Sequence, residues 1–148
     1  MVSARKFFSP AQQEDILHAI MAAELDTSGE IRVHIEDECS GDVIDRALEV
    51  FHKLGMQKTN LKNGVLFYLA LQNRKFAVLG DKGIHEKVGD EFWDRIKLEL
   101  IGHFRNDEFT EGLSHGIRLA GEQLKQYFPY KRNDVNELPD DISFGDDQ

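Results

Sequence analysis

Asn63, Asp81 and Glu86 are the residues of this sequence best placed to do chemistry. Two carboxylates and one amide oxygen, with main-chain carbonyls freed by Gly80 and Gly83, form a hard-oxygen set of the kind that takes Ca2+ or Mg2+. Chain topology brings them together. Residues 65–71, VLFYLAL, are apolar without a break, the pattern of a strand buried on both faces of a sheet. Gln72-Asn73-Arg74 is a tight polar connector, and residues 75–79 resume as a second strand. So short a connector makes the pair antiparallel, which sets Asn63, before the first strand, beside Asp81, after the second. Gly80-Asp81-Lys82-Gly83 is expected to open a loop that also holds Glu86. A second use of the same residues is structural: Asn63 and Asp81 satisfy the turn backbone and cap the next helix. The sequence leaves both uses open.

Other chemistries lack their residues. There is no phosphate loop of the G-x-x-x-x-G-K-[ST] type, no G-x-G-x-x-G after a strand and no G-x-S-x-G elbow. His85-Glu86 begins like a zinc-protease motif, but Gly89 stands where the second histidine belongs. A cysteine phosphatase needs an arginine six residues beyond Cys39, where Asp45 stands, and no D-x-D ends a strand. The acids Glu36, Asp37, Glu38 and Asp42 lack the register of an EF-hand and read as a solvated acidic loop. Cys39, with no local base, reads as an inert thiol, and the six histidines read as surface or boundary residues. Within the loop itself, Lys82 is the only basic residue and His85 the only obvious base.

The elements that must position these residues follow from periodicity and capping. Ser9-Pro10-Ala11-Gln12 is a capping box with proline at the first helical position, and it opens a helix to about Leu25. Residues 30–36 alternate, Ile31, Val33 and Ile35 one way and Arg32 and His34 the other, which predicts a strand with one wetter face, at a sheet edge. A second helix covers about 42–54, and strand, helix and buried strand then make a parallel crossover. The antiparallel partner at 75–79 makes the sheet mixed. A third helix is expected over about 89–104 and a fourth over about 108–128. Gly112, Gly116 and Gly121 in the fourth serve close packing.

The chain has 148 residues with 41% hydrophobic and 30% charged composition, which fits one domain with a single core. Its net charge of -9 disfavours nucleic acid and favours a cation as ligand. No apolar run is long enough to span a bilayer, no apolar h-region follows the N-terminus, and the lone cysteine suits a reducing compartment. The expectation is a cytoplasmic monomer. Residues 1–128 form the domain. Residues 129–148, with Asp134, Glu137, Asp140, Asp141, Asp146 and Asp147 against Lys131 and Arg132, are expected to be an acidic disordered tail.

Several local patterns together resemble the TPM domain family. They are Asn63-Gly64-Val65-Leu66, Arg74-Lys75, Gly80-Asp81-Lys82-Gly83-Ile84, Phe92-Trp93, and Phe104 through Asp107-Glu108-Phe109 to Glu111-Gly112-Leu113. The resemblance runs from about Ser9 to Phe128 and implies a three-layer α/β/α sandwich around the short mixed sheet. It implies divalent-metal binding, with a phosphatase activity attached to some members. Carried onto this chain, the family's metal positions are Asn63, Asp81 and Asp107, to which the spacing argument adds Glu86. Many members have an acid before the Asn-Gly pair, where this chain has Lys62, and many have a signal peptide and a C-terminal membrane helix, neither expected here. Three functions follow: a Ca2+ or Mg2+ binding module, a metal-assisted phosphatase, or a protein-interaction domain without metal.

Overall fold

Ser9, Pro10 and Gln12 start a helix as their capping pattern requires: Ser9 Oγ accepts the Gln12 N–H at 3.1 Å, and the Gln12 side chain accepts the Ser9 N–H at 2.9 Å. In the computed structural model, which describes residues 3–130 and 142–145, that helix is the second of five. The order is α1 (Ala4–Phe7), α2 (Pro10–Glu24), β1 (Glu30–Glu36), α3 (Val43–Lys53), β2 (Gly64–Ala70), β3 (Lys75–Gly80), α4 (Lys82–Arg105), α5 (Phe109–Tyr127) and β4 (Ile142–Phe144). A single 3-10 turn, Met56–Lys58, links α3 to β2.

The four described strands form one mixed sheet in the order β3-β2-β1-β4. β1 pairs in parallel with β2 and with β4, and β2 pairs antiparallel with β3. One face carries Ile31, Val33, Ile35, Val65, Phe67 and Leu69 and buries them against α1, α2, α4 and α5. The other carries Leu66, Tyr68, Ala70 and Ala77, covered by Ala47, Val50 and Phe51 of α3 with Met56. This is the α/β/α layering that the family resemblance implies.

Gly121 shows how closely the large layer is packed. A Cβ at that position would lie 2.6 Å from the Ala23 Cβ and 2.9 Å from its Cα, so α2 and α5 touch backbone to backbone. Gly121→Ala should therefore push the helices apart and lower stability by about 1–3 kcal/mol, read by urea unfolding. Gly112 and Gly116 admit side chains instead: a Cβ there would lie 2.9 Å from the His103 Cβ and 3.0 Å from the Phe67 ring, respectively.

Three expectations are corrected. β1 is not an edge strand: it lies between β2 and β4, and all seven of its residues are buried. The expected loop after Asp81 is itself helical from Lys82, because Asp81 caps it, and a break at Gly89 (φ 74°, ψ 176°) separates that segment from the helix over 90–105, which lies where the sequence predicts it. The stretch beyond Tyr127 is not uniformly free of structure. Tyr130 donates its N–H to Asp26 O at 2.8 Å, and Ile142–Phe144 pairs with Val33–Ile35 of β1. Residues 131–141 and 146–148, where the rest of the tail expectation falls, lie outside the described residues.

Candidate functional site

Three strand ends meet where β2 begins. Glu30 pairs with Gly64 and Val65 with Gly80, so Asn63 and Asp81 follow from the register to the same end of the sheet. Two main-chain bonds fix them there: Glu30 N–H to Asn63 O at 3.4 Å and Asp81 N–H to Gly64 O at 2.9 Å. Asn63 is buried, and its amide nitrogen donates toward Ser28 Oγ at 3.4 Å. The antiparallel argument thus places this pair as the sequence predicts.

Asp81 does two different things with its two oxygens. Oδ1 accepts the Lys82 N–H at 2.7 Å and caps α4, satisfying one of the donors that every helix start leaves open. Oδ2 is buried and has no hydrogen-bond partner among the described residues. A carboxylate oxygen taken out of water without a donor is costly unless a cation or a water meets it. Two further buried oxygens without a partner among the described residues, Gln57 Oε1 and Thr59 Oγ1, sit on the turn that leads into the same loop.

The loop is held hard against the helix start. A Cβ on Gly83 would lie 2.1 Å from Leu61 O and 2.6 Å from Lys62 O, so only glycine allows these carbonyls to approach. Ile84 donates its N–H to Lys62 O at 3.2 Å. Lys62 itself takes a left-handed backbone (φ 52°), and its ammonium donates to the Gln57 carbonyl. That bond gives the Lys62 charge a partner of its own beside the Asn-Gly pair.

Glu86 and Asp107 do not join this pair. Glu86 lies in α4, not in a loop, and is exposed. Asp107 lies in the turn after α4, at the end of the sheet where β2 ends and β3 begins, and the length of α4 separates it from Asp81. Among the described residues, no group of three or more His, Cys, Asp and Glu is arranged to hold a metal. His85, the one obvious base, is committed: its Nδ1 accepts the Trp93 indole N–H at 3.0 Å, and its Nε2 lies 3.4 Å from Asp90 Oδ1. The indole is a donor only, so the imidazole's basic lone pair is occupied.

A second polar cluster, not foreseen from the sequence, lies on the α3 face. Glu36 accepts from Arg46 Nε at 2.9 Å, from the second Arg46 nitrogen and from the Tyr68 hydroxyl, and it lies 3.1 Å from His34 Nε2. Across the same imidazole, His34 Nδ1 and Ser143 Oγ share a hydrogen bond of 2.9 Å. Burial alone would raise the Glu36 pKa, but the bonds from Arg46, Tyr68 and His34 outweigh it and hold the group at about 2. Tyr68, buried against that carboxylate, is pushed far above the usual phenol range. Serine, imidazole and carboxylate in line have the order of an acyl-transfer relay. Here, however, Ser143 is 4% exposed in the middle of a strand, and the carboxylate is bonded to an arginine and a tyrosine. The cluster fastens β4, α3 and β2 to β1. Glu36 and His34 are therefore buried network residues, where the sequence reading had a solvated acid and a surface or boundary histidine. The signal that could have exposed them is the unusual polarity of three successive β1 positions on one face, Arg32, His34 and Glu36.

Comparison with known proteins supports the fold and its family. A family model described as the TPM domain matches residues 1–123. The structure of the BA42 protein from the psychrophilic bacterium Bizionia argentinensis is similar at 45% identity and a TM-score of 0.89, covering 98% of this chain and 100% of that one. The N-terminal domain of a P. gingivalis protein is similar in fold at 24% identity and a TM-score of 0.68, covering 84% of this chain and 83% of that one. So is the N-terminal domain of the cg2496 protein of Corynebacterium glutamicum, at 14% identity and a TM-score of 0.64, over 80% and 74% of the two chains. No curated protein sequence matches significantly. Among the described residues, no helix is long and apolar enough to cross a membrane.

Proposed function

The chain belongs to the TPM domain family, and from that premise we propose that it is a divalent-cation binding domain whose ion, Ca2+ or Mg2+, sits at the Asn63–Asp81 end of the sheet. One observation carries the reading: Asp81 Oδ2 is buried without a donor among the described residues, two positions before the Gly83 that admits the Leu61 and Lys62 carbonyls to the helix start. The ligands would be Asp81 Oδ2, the Asn63 amide oxygen and the Leu61 carbonyl, with water completing the shell. A single carboxylate gives a low charge count, so the expected dissociation constant is about 10⁻⁴–10⁻³ M. The ion supplies charge neutralisation for Asp81, and the chain's own residues supply position. Asp81 anchors the helix start with one oxygen and offers the other, while Asn63 is held by strand pairing. The reading stops at binding. Hydrolysis of a phosphate ester needs a base beside the metal, and the nearest imidazole is bonded to Trp93.

The experiment is titration with CaCl2 and MgCl2 at constant ionic strength, followed by backbone amide shifts. Saturable shifts are expected at Asn63, Asp81, Lys82 and Gly83. At ten times the dissociation constant the ion should add about 1.4 kcal/mol of stability, because it binds only the folded form. Asp81→Asn keeps an N-cap residue and so keeps the helix start, but it should abolish both effects. Shifts confined to residues 36–42, or none at 20 mM of either ion, would leave Asp81 with a structural role alone.

A further inference from the structure

The far end of the sheet holds an apolar cleft that the cation reading does not use. It has a volume of about 340 Å3, at the small end of ligand pockets. Its wall is a run of half-buried aromatic rings. Phe76 meets Phe104 edge-on at 5.4 Å, Phe104 stacks on Phe109 at 5.1 Å, and Phe109 meets Phe7 edge-on at 5.2 Å. The lining carries three charged groups, Arg74, Arg105 and Asp107. Neither arginine forms an ion pair or side-chain hydrogen bond with another described residue. In a chain of net charge -9, the mouth of this apolar cleft thus carries a net positive charge.

Arg74 adds a second, independent observation. It closes the four-residue connection between Ala70 and Lys75 with a left-handed backbone (φ 51°), the position that glycine fills in such hairpins. An arginine there is disfavoured by its own Cβ, and strain of this kind persists where the side chain has a task. Asp107, also left-handed (φ 58°), needs no such account, because aspartate tolerates that region.

We propose that this cleft is a binding site for a small apolar carboxylate, its hydrocarbon body against the phenylalanine rings and its carboxylate between Arg74 and Arg105. A fork of guanidinium donors matches a carboxylate in geometry as well as charge. Asp107 at the same rim repels a dianion or phosphate more than a monoanion, which sets the ligand class.

The test uses the full chain, with EDTA present, and octanoate as the probe. Octan-1-ol and octylammonium carry the same body with a neutral and a cationic head. Octanoate should shift the amides of Leu71, Phe76, Phe104 and Phe109 saturably at millimolar concentration or below, and octylammonium should bind at least tenfold more weakly. Arg74→Gly combined with Arg105→Gln should weaken octanoate at least tenfold and leave octan-1-ol unchanged. Arg74→Gly alone should raise Tm by about 2–4 °C by relieving the backbone, so lost binding cannot be mistaken for lost folding. The proposal fails if octanoate at 5 mM leaves these amides unmoved, if octylammonium binds as well, or if the double variant keeps wild-type affinity. Asp81→Asn should leave octanoate binding intact, so failure at one end of the sheet is distinguishable from failure at the other.

Discussion

A chain that ends at Tyr130 should melt about 10–15 °C below the full chain. Such a truncation removes β4, which buries Ile142 at 8% exposure and Phe144 at 6% against the large core. Taking each of those side chains out of water is worth about 1.5–3 kcal/mol. It also removes the Ser143 hydroxyl that bonds His34 Nδ1, at about 0.5–1.5 kcal/mol. At this chain length each kcal/mol moves Tm by roughly 2–4 °C. Phe144→Ala separates the strand from the rest of the tail and should cost about 3 kcal/mol by itself. Calorimetry of both variants is the check, and a shift of less than 2 °C for the truncation would show that β4 contributes nothing to stability.

Glu36→Gln should destabilise the fold by about 3 kcal/mol, and the loss should depend on pH. The substitution keeps the shape but leaves the Arg46 guanidinium, only 25% exposed, with the exposed Glu49 carboxylate at 3.5 Å in place of its buried counter-charge; breaking a buried pair from one side costs about 3–5 kcal/mol. The lower figure applies because Arg46 keeps some access to water. In the folded chain the Glu36 pKa lies at about 2, against an ordinary value of 4.5. A depressed carboxylate stabilises the fold in full above its unfolded pKa, and that contribution is lost as pH falls through the folded one. The shift corresponds to about 3 kcal/mol. Wild type should therefore lose that advantage over Glu36→Gln between about pH 4.5 and pH 2, and the two should converge in acid. Urea unfolding at pH 7, 4 and 2.5 reads the difference. A constant gap across that range would mean that the carboxylate's charge is not what holds the cluster.

What could be read from the sequence was local or followed from one turn. The capping box at Ser9 and Gln12, the helix beginning near Asp42 and the antiparallel pair after Asn63 each depend on residues a few places apart, and each appears as expected. The meeting of Asn63 and Asp81 followed because a hairpin converts short sequence distance into contact. Glu86 was misplaced because Gly83 looked like a breaker; its real constraint is the Leu61 carbonyl, which no spacing within the loop reveals. Alternation in β1 gave the two faces but not what covers them. His34 and Glu36 are buried by Arg46, Tyr68 and Ser143, which come from α3, β2 and β4. β4 escaped notice because Ile142 and Phe144 are two apolar residues within an acidic segment, and three residues are too few for a period to show.

The parallel pairing of β4 with β1 also bears on behaviour in concentrated solution. A slot beside β1 that accepts Ile-Ser-Phe by main-chain bonds and two apolar side chains is indifferent to which copy of the chain supplies the segment. Docked from its own chain, β4 acts as a stopper at that border of the sheet. Exchanged between two chains, the same segment would link them into a reciprocal pair without any new chemistry. With the segment cut away, the backbone donors and acceptors of Val33–Ile35 would face outward as a template for foreign strands. Three residues thus decide whether this sheet ends at β4 or recruits another chain.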